Sequence, residues 1–296
     1  MSELLEMLGC RFPIIQGPIG TFNNPRMVAA VSEAGGYGML AVGFLHHPDE
    51  VKNLIDEVRR LTDKPFGANI VLMNPHSVEF LKVLADCGIK TVTTSVGSPK
   101  AIYPYIHDLG MKGIHVILAL SHAVSAVAAG ADGLVVVGAE AGGLHSQNSE
   151  SSTMVLVPLV ADHVNVPLVA AGGIADSRGY KAAFALGAQG VQIGTRFLAS
   201  DESLASAQWK KAIVELTDGG TGLIPLGSIK LAQRLIITPW MKERLASISL
   251  EALADELDRN PEASGSYERA SFGAGQIGAL IKDIQPIKDI IHEMTS

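Results

Sequence analysis

The chain has 296 residues, 47% of them hydrophobic and 18% charged, with 31 glycines. That balance excludes a disordered chain and suits an α/β protein with a large core and many tight turns. A formal net charge of −7, with 23 Lys+Arg against 30 Asp+Glu, comes without a basic run or an aromatic-studded basic stripe, which excludes nucleic acid as a partner. The apolar runs are of strand length, short of the ~20 residues that cross a bilayer, and no basic segment followed by an apolar stretch opens the chain. No membrane association is expected, and a cytoplasmic protein is. Cys10 and Cys87 have neither CxxC spacing nor a histidine cluster, so they are expected to be buried thiols, with no disulfide and no metal site.

In chain order, short β-branched or apolar runs recur every ~20–25 residues, each followed by a segment of helical spacing. The predicted strands are Pro13–Gln16, Gly38–Val42, Phe66–Val71, Thr91–Ser95, Gly113–Leu118, Gly133–Val137, Pro167–Ala171 and Gly190–Gly194. Helices are predicted at Pro25–Ala34, Pro48–Leu61, Ser77–Cys87, Pro99–Leu109, Ser121–Ala129, Met154–Val164, Asp176–Leu186 and Ser203–Leu216. Eight βα units point to a TIM-type (β/α)8 barrel rather than an open doubly wound sheet. After Thr195 the rhythm breaks. Residues 218–269 are read as a small, mainly helical cap on the substrate side, with 1–217 plus 270–296 forming the barrel and a last apolar helix at Gly275–Ile291.

Reactive residues of such barrels sit in the loops that follow the strands, and a phosphate site often lies after strands 7 and 8. Here those loops are Ala171-Gly172-Gly173-Ile174 and Gly194-Thr195-Arg196. Glycines let backbone N–H groups approach phosphate oxygens at a helix start; the plainer alternative is a tight turn before Asp176 caps a helix. Gln16-Gly17-Pro18-Ile19-Gly20 after the first strand is either a turn or a backbone wall for a flat apolar ring. Asn69 is a polar residue inside an apolar strand and needs hydrogen-bond partners, from a ligand or from a neighbouring backbone group. The loop after Val137 runs ~15 residues, a length that tends to accompany function. It carries Glu140 and His145 with Gly142-Gly143 between them, and histidine is the side chain that exchanges protons near neutral pH. The remaining histidines have no partner at metal-ligand spacing. Nucleophile-elbow, Walker and Gly-x-Gly-x-x-Gly patterns are all missing, which removes support for serine hydrolysis, ATP chemistry and an ordinary nicotinamide domain.

Five ordered stretches, Phe12–Pro18, Lys64–Asn69, Glu140–Gly143, Ala170–Ala175 and Gly190–Phe197, with Gly273–Ile277 near the end, resemble the nitronate monooxygenase family. That family, once called 2-nitropropane dioxygenases, includes flavin-dependent enoyl-acyl-carrier-protein reductases and NADH:quinone reductases. The resemblance implies a barrel that binds FMN non-covalently. Gly17, Pro18 and Ile19 would lie against the flavin and Asn69 would hydrogen-bond it. Gly172, Gly173, Gly194 and Thr195 would hold the phosphate, and Glu140, Gly142, Gly143 and Gln276 would lie at the cofactor. The implied activity is oxidation of alkyl nitronates by O2 to carbonyl compounds and nitrite. NAD(P)H is open as a co-substrate in the reductase alternative, which acts on an enoyl thioester or a quinone, and a homodimer is also open. A second alternative keeps the barrel without flavin, as a sugar-phosphate isomerase or phosphate-ligand-binding protein. In the family pattern a histidine directly follows Glu-Ala-Gly-Gly. Here Leu144 takes that place and His145 follows it, so either His145 keeps the catalytic role after an inserted leucine or leucine replaces the base. His145 is the candidate catalytic residue.

Overall fold

The computed structural model describes residues 2–20, 23–146, 151–227, 231–259 and 264–296. Its first strands are β1 (Ile14–Gln16), β2 (Gly38–Ala41), β3 (Phe66–Val71), β4 (Thr91–Ser95), β5 (Lys112–Ile117) and β6 (Gly133–Val137), followed by a short β7 (Gly143–Ser146) and then β8 (Leu168–Ala171) and β9 (Gly190–Ile193). All but β7 form one parallel sheet in the order β1-β9-β8-β6-β5-β4-β3-β2. The ends of that order meet: Gln16 N–H donates to Tyr37 O at 3.0 Å and Tyr37 N–H to Ile14 O at 2.8 Å. This is the expected (β/α)8 barrel.

An N-terminal helix, α1 (Glu3–Leu8), precedes the barrel, and seven more lie between its strands or after β8: α2 (Pro25–Glu33), α3 (Pro48–Arg59), α4 (Ser77–Asp86), α5 (Tyr103–Asp108), α6 (Leu120–Ala128), α7 (Thr153–Ala161) and α8 (Ser177–Ala185). Their starts follow the local sequence. Asn24 accepts from Met27 N–H, and Asp176 accepts from Arg178 and Gly179 N–H, each satisfying donors that a first turn leaves free. Strand side chains alternate. In β3, Phe66, Ala68 and Ile70 join the large core between sheet and helices, which turns Gly67, Asn69 and Val71 inward. The barrel floor is closed by α1, whose fully buried Leu4 and Leu8 pack with Ile15, Met39, Ile114, Val135 and Val169, each such side chain contributing ~1.5–3 kcal/mol of burial.

Beyond β9 come α9 (Thr195–Leu198) and α10 (Ala207–Val214), then β10 (Thr221–Pro225), β11 (Leu231–Ile236), α11 (Pro239–Arg244) and α12 (Leu250–Glu256). The cap region thus contains a β-hairpin as well as its helices, and Ile224, Leu235, Met241, Leu253, Ala254 and Leu257 form a core of its own. β11 also pairs antiparallel with β7, so part of the loop expected to be irregular is the edge of a three-stranded sheet, β10-β11-β7. A long helix at Gly275–Ile291 does not form. Gln276–Leu280 is a single 3-10 stretch and α13 (Ile287–Thr295) starts after Pro286, because proline lacks an amide donor and disfavours helical backbone in the residue before it. Cys10 and Cys87, expected to be buried, are free, half-buried thiols. None of the described helices is long and apolar enough to cross a membrane.

Candidate active site

Most of the glycines singled out in the sequence meet at one rim of the barrel mouth. Gly17 N–H donates to Ile193 O at 2.8 Å, placing the first loop beside Gly194. The chain at Gly275-Gln276 then threads between two of the site loops: Gly275 N–H donates to the Thr195 hydroxyl at 2.9 Å, and Gln276 N–H donates to Glu140 O at 2.9 Å. Approach is so close that a Cβ on Gly142 would lie 2.8 Å from Gly275 N, and one on Gly172 2.9 Å from Ala141 N. These two glycines are required by backbone packing. Gly172 and Gly173 also have φ of 99° and 76°, conformations that favour glycine. Gly194 differs. Its φ is −113° and a Cβ there would meet nothing within 4 Å, so its face opens on free space beside the first loop.

Asn69 stands across the barrel from this rim. It is buried, its amide donates to the Thr93 hydroxyl at 2.9 Å, and its carbonyl accepts from Ser95 at 3.2 Å, so side chains of β4 satisfy it. Ile19 is partly buried against the barrel core, whereas the Gln276 side chain is exposed and only its backbone joins the rim. Glu140 acts as a brace: its carboxylate accepts from the Thr153 N–H at 2.8 Å and lies 2.9 Å from the Thr153 hydroxyl, pinning the loop to the start of α7.

His145 lies on β7 opposite Ala232 of β11 and is 1% exposed. Its Nε2 is 2.7 Å from Ala141 O. A carbonyl only accepts, so Nε2 carries the proton and the neutral ring keeps its lone pair on Nδ1. Burial lowers the imidazole pKa, helped by the charge of Arg234; the Ala141 carbonyl and Glu140 act in the opposite direction. Leu144, one residue earlier, belongs to the other face of the strand opposite Gln233 and is half-buried.

Three features of this mouth had no place among the candidates. Gln192, in β9, sits between Val191 and Ile193, both packed outward in the helix-side core, so its side chain belongs to the barrel interior. Its Oε1 is buried and has no hydrogen-bond partner among the described residues. The signal was available, since a glutamine inside Gly190-Val191-Gln192-Ile193 is as anomalous as Asn69 in its strand. Val96, just after β4, has φ of 50°, the only positive value outside glycine among the described residues; for a β-branched side chain that is a strained conformation of the kind that gathers at functional sites. Arg234, in β11, is buried and donates from Nε to Ala139 O at 3.1 Å. Nothing local in the sequence announces a contact between positions so far apart.

The nitronate monooxygenase family model matches residues 1–86 and 77–296. The chain belongs to the nitronate monooxygenase family. It is 36% identical over 202 residues to a (3aS,4S,5R,7aS)-5-hydroxy-7a-methyl-1-oxo-octahydro-1H-indene-4-carboxyl-CoA dehydrogenase of Rhodococcus jostii, a match that covers 68% of this chain and 56% of that protein. It is 31% identical over 264 residues to a probable nitronate monooxygenase of Staphylococcus saprophyticus, covering 74% of each. Among solved structures, FabK from Thermotoga maritima superposes with a TM-score of 0.88 at 36% identity, covering 100% of this chain and 95% of that one. Family membership makes the chain an oxidoreductase from a group of flavin-dependent enzymes, and removes the support for a flavin-free isomerase.

Proposed function

We propose that the protein is an FMN-dependent oxidoreductase that oxidises alkyl nitronates with O2 to carbonyl compounds and nitrite. The observation that carries the cofactor reading is the pair in and after β9: a backbone at Gly194 that faces free space and a buried Gln192 carbonyl without a partner among the described residues. An unpaired buried acceptor costs ~1–3 kcal/mol, and a ligand rich in N–H and O–H donors would satisfy it. Gly194, Thr195 and the Gly172-Gly173 turn would hold the phosphate, Gly17–Ile19 would cover the ring system, and Asn69 and Gln192 would bind its polar edge. When bound, FMN supplies the electron relay between the nitronate and O2.

The chain's own part is positioning and proton control. Gly142 lets the loop after β6 fold against the backbone at Gly275, and Gly143 supplies the positive φ of the turn into β7. His145 is the candidate proton acceptor, neutral at physiological pH with its lone pair on Nδ1, and it would take the α-proton of a neutral nitroalkane or stabilise the anion. An oxygen electrode tests the proposal: FMN-loaded protein is expected to consume O2 and release nitrite with propyl-2-nitronate, and failure to bind FMN or to consume O2 would end it. The Rhodococcus relative, named as a dehydrogenase of a CoA thioester, favours one second reading, an NAD(P)H-dependent FMN reductase acting on an enoyl thioester or a quinone. Steady NADH oxidation with crotonyl-CoA or a quinone, together with no O2 consumption on nitronate, would select it.

A further inference from the structure

The three-stranded sheet ties the candidate site loop to the cap. β7 is the continuation of the Glu140–Gly143 turn, and it pairs with β11, whose other neighbour is β10 of the cap hairpin. In that register Arg234 is opposite Gly143 and Ala232 opposite His145. Directly opposed residues share a face, as do residues two apart on one strand, so Arg234 and His145 lie on the same face of the sheet. That face looks onto the turn before β7, because His145 Nε2 reaches Ala141 O and Arg234 Nε reaches Ala139 O. Arg234 Nη1 donates in addition to the Thr221 hydroxyl at 3.3 Å, on the far strand of the hairpin.

We propose that Arg234 is a positioning residue of this site, a buried clamp that fixes the 139–146 segment to the cap hairpin so that turn, imidazole and cap move as one unit. The side chain is 6% exposed. Burying a guanidinium is costly unless its donors find partners, and here two of its N–H groups do, one on a backbone carbonyl of the site turn and one on a hydroxyl of the cap. Its charge has a second consequence. The acidic group that bears on Arg234 is Glu140, which is itself held by Thr153. The imidazole of His145 therefore feels a cation from β11 and a carboxylate from its own turn, and removing the cation leaves the carboxylate and the Ala141 carbonyl to favour protonation against burial. The importance of this clamp for turnover rests on the proposed function; the clamp itself does not.

The test is made on the full chain without added flavin, by amide hydrogen exchange across residues 142–146 and by NMR titration of the His145 ring. Arg234→Gln is expected to speed exchange of these amides by ~10-fold or more, the effect of losing a hydrogen bond from a charged donor, and to move the His145 midpoint upward. Arg234→Lys keeps the charge but not the two-pronged geometry, so it is expected to speed exchange while leaving the His145 midpoint close to that of the parent. A merely packed arginine would not separate the two readouts in this way. Wild-type exchange and an unmoved midpoint in folded Arg234→Gln would overturn the clamp. Should that variant not fold, Arg234→Lys and Thr221→Val decide: faster exchange at 142–146 in either supports it, and parental exchange in both overturns it. Neither readout uses FMN or turnover, so absence of nitronate oxidation in the parent protein would refute the function and leave the clamp standing.

Discussion

Gly194→Ala separates a glycine needed by the fold from one needed by a ligand. Its φ of −113° and ψ of −75° are open to alanine, and the added methyl meets no protein atom within 4 Å. Replacing glycine where alanine is tolerated stabilises by ~0.4–1 kcal/mol through the unfolded chain, and alanine in place of glycine at this helix N-cap costs a comparable ~0.5–1 kcal/mol. The fold is therefore expected to be unchanged to within ~1 kcal/mol. The space that the methyl enters is the proposed phosphate cradle, so displacing the phosphate there is expected to weaken FMN binding by ~10–100-fold, equivalent to ~1.4–2.8 kcal/mol. Thermal melting without flavin, followed by FMN titration read as quenching of flavin fluorescence, gives both numbers on one sample. A variant that melts like the parent and binds FMN with parental affinity would refute the cradle. Gly142→Ala is the internal contrast, because its methyl would strike backbone at Gly275 and should lower the melting temperature itself.

Gln192→Met removes the unpartnered buried carbonyl at nearly constant volume, and is expected to raise the stability of the flavin-free protein by ~1 kcal/mol while weakening FMN binding; a loss of stability would show that the carbonyl already has a partner. His145→Ala is expected to lower turnover with nitroalkanes by ~100-fold or more with FMN still bound, checked by steady-state kinetics beside the flavin spectrum; unchanged kinetics would leave the residue a structural one. His115 bears on acid stability. It is buried in β5 with Nδ1 2.8 Å from the Thr94 hydroxyl, which in turn lies 3.0 Å from the Tyr103 hydroxyl. Burial, with a smaller push from His122, lowers its pKa from 6.5 to about 4. The unfolded chain thus binds the proton more readily, so the group costs no stability above pH 6.5 and about 3 kcal/mol is lost as pH falls to 4. Urea unfolding at pH 7 and pH 4 should show that slope in the parent and less of it in His115→Gln; equal slopes would assign the acid sensitivity to other groups.

The barrel was legible because its rhythm is local: strand runs, capping residues such as Asp176 and terminating glycines are all written within a few positions of where they act. The site was legible where glycine reports on backbone, at Gly142, Gly172 and Gly194, although sequence could not tell a glycine crowded by Gly275 from one facing open space. The strand character of Gly143–Ser146 depends on a partner about ninety residues later, and no local pattern could supply it. The same distance hides Arg234, whose acceptor is Ala139. Gln192, by contrast, was legible in the sequence as a polar residue between valine and isoleucine; what the structure adds is that the alternation of strand faces turns it inward and leaves its Oε1 without a partner among the described residues.

The most direct measurement mixes FMN-loaded protein with an alkyl nitronate in the absence of O2 and follows flavin absorbance. Bleaching of the oxidised band by nitronate, reversed when air is admitted with release of nitrite, is the expected result. A spectrum that nitronate leaves untouched, while NADH bleaches it, would contradict nitronate oxidation and establish the reductase reading in its place.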